Sequence, residues 1–370
     1  MSTTTSPPPA PQQAPTGDAG ITTTLMHPEI EADSSDLDSS FTDSEAESYT
    51  TSLASSVFDY QYENGRRYHR FREGQYFLPN DETEQDRLDM HHHMLTVIQG
   101  GQLHGAPLDK PQKVLDLGTG TGIWAIEMGD AYPSAHVTGN DLSPIQPNWV
   151  PPNVEFLVDD IESEWTYPEN SFDFIYCRYL LGGISDWPRL IKQAYKALKP
   201  GGYLELLEPD SNMLCDDNSI SPDAPLWKWN ELFLEAGEKA GRSLVEAPNH
   251  KKSMQEAGFV EIQEDIFKLP NSPWPKDKHL KEVGAFHMAS FLEALEGLSL
   301  RFFQAFHGMK AEEIQVMLVN VRKDLKNRRY HTYYHLHRIY AQGVTTALHN
   351  LGKRQGQGDV AENSFMPLVD

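Results

Sequence analysis

The chain has 370 residues, of which 31 are Lys or Arg and 54 are Asp or Glu, so its formal net charge is −23 at pH 7. So acidic a surface repels phosphate backbones and argues against direct binding to nucleic acid. Two cysteines give no disulfide framework, and the sequence has neither an apolar run of eighteen residues nor a basic-then-apolar leader. We therefore expect an intracellular protein, in the cytoplasm and/or the nucleus, that does not span a membrane.

The first 60 residues differ in composition from the rest of the chain. They contain ten acidic residues and no Lys or Arg, among many Ser, Thr and Pro. A segment of this kind buries too little apolar area to offset the entropy lost on ordering. We predict that residues 1–56 are disordered, that residues 57–342 form one α/β domain, and that residues 343–370 are a loose tail.

The first strong helix signal follows Pro79. Asp81 is the expected N-cap, and Glu84 stands at the capping-box position three residues later. The arm just ahead carries Tyr68 and His69, which either close over a ligand or pack on the domain. The three consecutive histidines at 91–93 would point about 100° apart on a helix and cannot converge on one ion, so no metal site is predicted.

Residues 114–122 read Val-Leu-Asp-Leu-Gly-Thr-Gly-Thr-Gly. The apolar positions suit a buried parallel strand, and the three glycines allow a tight turn and a close approach of the backbone to a ligand. A helix is predicted to start at Ile123, and a second strand to end at Asp141, where a carboxylate can accept hydrogen bonds from ribose hydroxyls. This spacing predicts a nucleoside-containing ligand.

The loop itself narrows the choice of nucleoside. Dinucleotide-binding folds space their glycines as Gly-x-Gly-x-x-Gly, so that a helix terminus faces a pyrophosphate. Here the spacing is Gly-x-Gly-x-Gly, and Asp116 lies two residues ahead of the first glycine. An acid at this place repels a pyrophosphate but tolerates an amine or a sulfonium, and S-adenosyl-L-methionine carries both. A nicotinamide dinucleotide and a ligand-free turn remain the alternatives.

The following segments continue an α/β pattern. Strands are predicted at 154–160 and 171–178, then a helix at 187–198, a Lys-Pro-Gly-Gly turn, and a strand at 203–207. Further along, the aromatic-rich stretch 226–240 is expected to be a helical lid. A helix ending before Gly258 should lead into a sixth strand, and the alternating run 331–340 fits an antiparallel seventh strand.

This order of elements resembles that of the class I S-adenosylmethionine-dependent methyltransferases. The resemblance rests on the Asp-x-Gly-x-Gly-x-Gly loop at 116–122, on the acids Asp141 and Asp160 after the second and third strands, and on the Leu-Lys-Pro-Gly-Gly turn at 198–202. It implies a Rossmann-like, mostly parallel sheet of seven strands. The cofactor core would cover about 110–210, and a helical cap with the late strands would cover 211–342.

A narrower resemblance links the chain to the fungal LaeA-type, velvet-associated methyltransferases. It rests on Glu-Asn-Gly-Arg-Arg-Tyr-His at 63–69, Gly-Gln-Tyr-Phe-Leu-Pro-Asn-Asp-Glu at 74–82, the segment 178–187 and Asn-Ser-Pro-Trp-Pro at 271–275. It implies a methyltransferase linked to fungal secondary metabolism or development. The alternative is a cofactor-binding but non-catalytic regulatory subunit of a velvet-type complex.

The cofactor assignment predicts a role for each residue at the strand ends. Asp141 would accept from the ribose hydroxyls or cap a helix, and Asp160 would lie near the adenine or cap a loop. Asp116 would meet the methionine amine or stabilise the glycine loop, and Arg178 would pair with the cofactor carboxylate or with a core acid. The remaining cofactor-binding candidates are Gly118, Thr119, Gly120, Gly122, Leu142 and Ile161.

The acceptor does not follow from these motifs. A small molecule or a protein is compatible with an aromatic cap, and a regulatory protein complex is a further expected partner. Methyl transfer does not always need a general base, because some nucleophiles attack with help from water alone. No catalytic base is therefore predicted.

Overall fold

The computed structural model describes residues 20–27, 29–33, 61–63, 66–68 and 79–344. Its helices are α1 (Glu82–Ile98), α2 (Ile123–Ala131), α3 (Trp187–Ala197), α4 (Pro225–Lys239), α5 (His250–Ala257), α6 (Lys278–His307) and α7 (Ala311–Leu325), with a 3-10 turn at Ala247–Asn249. Its strands are β1 (Ile21–Met26), β2 (Gln61–Glu63), β3 (Arg66–Tyr68), β4 (Lys113–Leu117), β5 (His136–Asp141), β6 (Val154–Val158), β7 (Phe172–Arg178), β8 (Leu198–Leu214), β9 (Val260–Pro270) and β10 (Tyr333–Gln342).

The central sheet has the strand order β6-β5-β4-β7-β8-β10-β9-β1, and β2 pairs with β3 in a separate hairpin. Strands β6, β5, β4, β7 and β8 run parallel to one another, whereas β10 is antiparallel to both β8 and β9. The chain reverses its strand order on either side of β4, and ligands of such sheets bind at the carboxyl ends of the strands beside this point. The predicted Rossmann-like sheet of seven strands is confirmed, and the structure adds an eighth.

The eighth strand corrects the prediction that residues 1–56 are disordered throughout. Strand β1 pairs in parallel with β9, from Ile21 opposite Ile262 to Met26 opposite Phe267. Three β-branched threonines favour an extended backbone, and Ile21 and Met26 pack against the buried core. The composition of the first 60 residues, taken together, is acidic and Ser-rich, and it does not reveal this short strand-forming run. Residues 1–19, 34–60 and 345–370 lie outside the described parts, as does His69.

The start of α1 agrees with its sequence signal. Asp81 caps the helix, because its side chain accepts from the backbone N–H of Glu84. Glu84 does not complete the capping box. Its carboxylate instead binds Arg87 on the next turn. The Glu84–Arg87 ion pair matters for the site, because it places two opposite charges in a buried position beside helix α6.

The cap has a hydrophobic core of its own. Helices α4, α6 and α7 pack around Trp229, Phe303 and Leu318, each at most 1% exposed. Trp229 donates through its indole N–H to Ser299 Oγ at 2.8 Å, which joins α4 to α6. The predicted helical cap is therefore present. Helix α1 packs against α6, and α4 and α6 also contact strands β8 and β9.

Candidate functional site

The glycine loop follows β4 and requires its glycines. Gly118, Gly120 and Gly122 have φ values of +65°, +60° and +82°, in the left-handed region that other residues rarely adopt. A Cβ atom at Gly118 would stand 2.3 Å from Leu180, and one at Gly122 would stand 2.3 Å from Phe156. At Gly120 the nearest atom would be 3.6 Å away. The loop is packed tightly at its two ends and is open at its middle glycine.

Asp141, at the end of β5, ties this loop to the neighbouring strand. Its Oδ2 accepts from the backbone N–H of Gly120 at 2.9 Å, and its Oδ1 accepts from the N–H of Ser143 at 2.9 Å. The carboxylate therefore caps the turn after β5; no helix begins there, so the alternative role as a helix cap does not apply. Asp141 also borders the cavity above the loop, a position compatible with the expected contact to ribose hydroxyls.

Asp160 lies just beyond β6 and is 6% exposed. Its carboxylate accepts from the N–H of Glu162 at 3.0 Å and from the hydroxyl of Ser163 at 2.9 Å. Asp160 therefore orders its own loop, and Ile161 lies beside it on the wall of the same cavity.

Asp116 is more deeply buried than the sequence suggested. It is 1% exposed, and its Oδ2 accepts from the hydroxyl of Thr119 at 2.5 Å. Its Oδ1 has no hydrogen-bond partner among the described residues. Burial, together with the nearby charge of Asp141, raises the pKa of Asp116 to about 7, although Arg178 and Thr119 act in the opposite direction. The carboxyl group stabilises the glycine loop from beneath.

The cavity above these residues brings together eight of the ten predicted cofactor-binding residues. Those eight are Gly118, Thr119, Gly120, Asp141, Leu142, Asp160, Ile161 and Arg178. Asp116 and Gly122 do not line it. The other side of the cavity comes from α1 and the turn before it, whose lining residues were not among the predicted site residues: Pro79, Asn80, Glu84, Leu88, His91, His92 and Leu95. Leu88, His92 and Leu95 share one face of the helix in the sequence, but which side chains line the cavity depends on how the helix packs.

Arg178 finds a partner that the sequence did not suggest. Its Nη1 donates to Nδ1 of His92 at 2.7 Å, rather than to a core acid. Because a guanidinium only donates, Nδ1 of His92 must accept, and Nε2 then carries the hydrogen that is shared with Glu127 at 3.0 Å. Burial and the charge of Arg178 lower the pKa of His92 to about 3, so this imidazole stays neutral.

The three consecutive histidines point in different directions. His91 faces Ser290, His92 lies between Arg178 and Glu127, and His93 is exposed beside Phe286. Within the described part of the chain, no group of three or more potential metal ligands comes together.

A second cavity adjoins the first. The two share Pro79, Glu84, Leu88, His91 and Tyr179. The other walls of the second cavity come from α1, α4, α6, the segment after β7, the later part of β8 and the start of β10. They include Arg87, Ser211, Trp229, Phe233, His287, Ser290, Phe291, Phe302 and Tyr334. The cavity at the strand ends therefore shares a wall with a second cavity that contains six Phe, Tyr or Trp rings.

Tyr68 does not close over either cavity. It is fully buried, and the guanidinium of Arg301 lies 4.0 Å from the centre of its ring. This arm packs on the domain, as the alternative expectation had it. No helix in the described ranges is both long and apolar enough to cross a bilayer.

Comparison with known proteins places this arrangement in a family. A methyltransferase-domain family model matches residues 90–264. Methyltransferase pytC of Aspergillus terreus is 46% identical over 316 residues, which cover 85% of this chain and 95% of that protein. The secondary metabolism regulator LAE1 of Cochliobolus heterostrophus is 40% identical over 74% of this chain and 92% of its own length. The protein-methionine methyltransferase laeA of Emericella nidulans is 40% identical, covering 74% of each chain.

The match to pytC covers 316 residues and therefore extends well beyond the cofactor core. The chain therefore belongs to the class I S-adenosylmethionine-dependent methyltransferases of the LaeA type.

Proposed function

We propose that the protein transfers a methyl group from S-adenosylmethionine, bound in the first cavity, to an acceptor bound in the second. The observation that carries this proposal is the common border of the two cavities, formed by α1, the turn before it and Tyr179 just after β7. Bound there, the cofactor would supply a methyl group activated by a sulfonium. The protein would supply alignment and exclude water.

The first cavity fits this cofactor in shape and in charge. The open side of Gly120 leaves room for a ligand against the backbone, and Asp141 stands where it could accept from ribose hydroxyls. Asp160 and Ile161 would border the adenine, and Arg178 would face the cofactor carboxylate. The buried Oδ1 of Asp116 lacks a partner among the described residues, and it would favour a positive charge, such as the methionine ammonium, on the other side of the loop.

Alignment is the main task in such a reaction, because the methyl carbon is already activated. Holding two reactants in line can contribute on the order of 7–11 kcal/mol to lowering a barrier. Helix α1 separates both cavities from solvent on one side, and its end is fixed by the Asp81 cap and by an ion pair between Arg66 and Asp81. A rigid wall of this kind keeps water from the reacting atoms.

Isothermal titration with S-adenosylmethionine tests the cofactor site. In Gly120→Glu the new side chain would enter the first cavity, so binding should be lost. Gly308→Glu is a matched control, because Gly308 also has a positive φ, of +66°, and is exposed at the end of α6, where an added Cβ atom would meet no other atom within 4 Å. Equal binding by the wild type and by Gly120→Glu would contradict the assignment.

The biological setting we propose is fungal secondary metabolism, since LAE1 of Cochliobolus heterostrophus is described as a regulator of it. A second candidate is a regulatory subunit of a velvet-type complex, in the cytoplasm and/or the nucleus, that binds the cofactor without using it. The enzyme and the regulatory subunit predict different results when variants are expressed in a deletion strain. Full rescue by Gly120→Glu would favour the regulatory subunit, whereas failure of Gly120→Glu with rescue by Gly308→Glu would favour the enzyme.

A further inference from the structure

The wall between the two cavities contains one side chain with the properties of a proton acceptor. Of the five residues that both cavities share, three carry groups that can exchange protons: Glu84, His91 and Tyr179. Both oxygens of Glu84 accept from the guanidinium of Arg87, at 2.6 and 2.9 Å. Burial raises the pKa of the Tyr179 phenol well above its usual range, so this group keeps its proton. His91 remains.

His91 is held in place by a chain of hydrogen bonds. Its Nδ1 lies 3.2 Å from Ser290 Oγ, and Ser290 Oγ accepts from Arg87 Nη1 at 3.1 Å. A hydroxyl oxygen has two acceptor sites, so Ser290 can also accept the Nδ1 hydrogen of His91. In this tautomer the lone pair is on Nε2. The Glu84–Arg87 pair and Ser290 thus position the imidazole.

The Nε2 atom of His91 has no hydrogen-bond partner among the described residues, and the side chain is only 7% exposed. A buried polar atom without a partner calls for an explanation, and a catalytic role is one of the recognised explanations. The ring meets Tyr179 edge to face, with centroids 4.1 Å apart, and both rings border both cavities. An acceptor at this junction would contact both.

The second cavity also indicates what kind of molecule meets His91. Among the described residues of its wall, Glu84 and Arg87 carry the only full charges, and they pair with each other. Six aromatic rings surround the rest, and Trp229 is stacked on Phe233 with centroids 5.1 Å apart. Such a wall favours a flat, uncharged ligand, because a charged one would lose its hydration without gaining a partner.

We propose that His91 is the general base of the reaction and that the acceptor is a neutral aromatic compound with a hydroxyl group; this inference rests on the function proposed above. The acceptor oxygen forms a bond to the methyl carbon with its own electron pair. The carbon–sulfur bond breaks, and its electron pair stays on sulfur. The hydroxyl proton passes to Nε2 of His91, and the imidazolium returns it to water when the product leaves.

The surroundings of His91 keep it ready to accept a proton at neutral pH. Burial, followed by the charge of Arg87, lowers its pKa well below 6.5. The protein therefore holds the base in its neutral form, and activity should fall only on the acid side. The titratable and charged groups that face it are Glu84, Arg87 and His92 on α1, Arg178 and Tyr179 at the end of β7, and His287 on α6.

The test uses the full chain, S-adenosylmethionine with a labelled methyl group, and two probes that share one ring system, 2-naphthol and 2-naphthoate. Wild type should methylate 2-naphthol and leave the anionic 2-naphthoate unmodified. In His91→Asn an amide replaces the Nδ1 side of the ring and can still bind Ser290, but Nε2 is gone. The rate should fall by about 10²–10⁴-fold. His93→Asn, on the exposed face of the same helix, should stay within about twofold of the wild type.

Two further measurements separate a base from a structural residue. Titration calorimetry should give the same affinity for S-adenosylmethionine in the wild type and in both variants. The wild-type kcat/KM for 2-naphthol should lose activity on an acid limb below pH 6.5, and His91→Asn should lack that limb. If His91→Asn does not fold, His91→Gln and the wild-type pH profile decide the question.

Several outcomes would overturn the proposal. They are an unchanged rate in His91→Asn, no acid limb in the wild type, faster methylation of 2-naphthoate, and label found on protein but not on 2-naphthol. A protein that binds S-adenosylmethionine yet leaves 2-naphthol unmethylated would also refute it, while the cofactor site would stand. Loss of cofactor binding in the wild type would instead refute the function proposed above.

Discussion

Asp116 offers a quantitative check on how the glycine loop is built. Its pKa rises from 3.8 to about 7 in the folded protein, because burial disfavours the ionised form. Between these values the unfolded carboxyl is ionised while the folded one keeps its proton, so the folded state binds more protons and stability falls as pH rises. At about 1.36 kcal/mol for each pKa unit, ionisation of Asp116 costs about 4 kcal/mol above pH 7. Asp116→Asn removes this cost.

Urea unfolding of the cofactor-free protein measures the effect. An amide oxygen in Asp116→Asn can still accept from the hydroxyl of Thr119. The difference in unfolding free energy, variant minus wild type, should increase by roughly 2–3 kcal/mol between pH 5 and pH 8, because part of the cost is already present at pH 5. A difference that stays flat over this range would refute the reasoning, whatever its absolute value.

Asp173→Asn is the control of opposite sign. Burial raises the pKa of Asp173, but hydrogen bonds from Lys199 and from the backbone N–H groups of Lys113 and Gln112 lower it by more. The folded pKa is depressed, so the ionised carboxylate stabilises the protein above the unfolded pKa, and this stability is lost as pH falls. The variant-minus-wild-type difference for Asp173→Asn should therefore become more negative as pH rises through the acid range.

Two further predictions concern the cap and the added strand. Trp229→Ala should lower the unfolding free energy by about 3–5 kcal/mol, because it removes a fully buried side chain. Trp149→Ala, at a side chain that is 94% exposed, should change it by less than about 0.5 kcal/mol. Urea unfolding measures both, and equal losses in the two variants would contradict the assigned cap core. Thr23→Val removes the hydroxyl that donates to Glu264 Oε2 at 2.8 Å, and it should lower the unfolding free energy by about 1–2 kcal/mol in the same assay. Thr22→Val, on the opposite face of β1, should leave the unfolding free energy unchanged. Equal effects of the two substitutions would argue against pairing of β1 with the sheet.

The sequence located the strand ends of the site with good accuracy, because their positions follow from local rules. A glycine loop after a buried strand and an acid after the next one fix where Asp141 and Gly120 meet, and the structure joins them at 2.9 Å. Asp81 was identified as a cap for the same reason. Interactions at the ends of helices and strands involve residues that are close in sequence, so they can be predicted before the fold is known.

The remaining features depend on contacts between distant parts of the chain. Arg178 binds His92, which lies 86 positions away. Which face of α1 borders the cavities depends on how that helix packs on α6, and the burial of Asp116 depends on the strands on either side of β4. Strand β1 was missed for another reason, since composition was averaged over a segment far longer than six residues.

Helix α6 has a consequence for how this enzyme could change. Seven of its residues border the second cavity, while the first is built from strand ends, their loops and α1, with nothing from α6. Substitutions along this one face of α6 could therefore change the size of the acceptor cavity and leave the cofactor cavity unchanged. Acceptor specificity could thus change through substitutions in a single helix, while the cofactor-binding residues are retained.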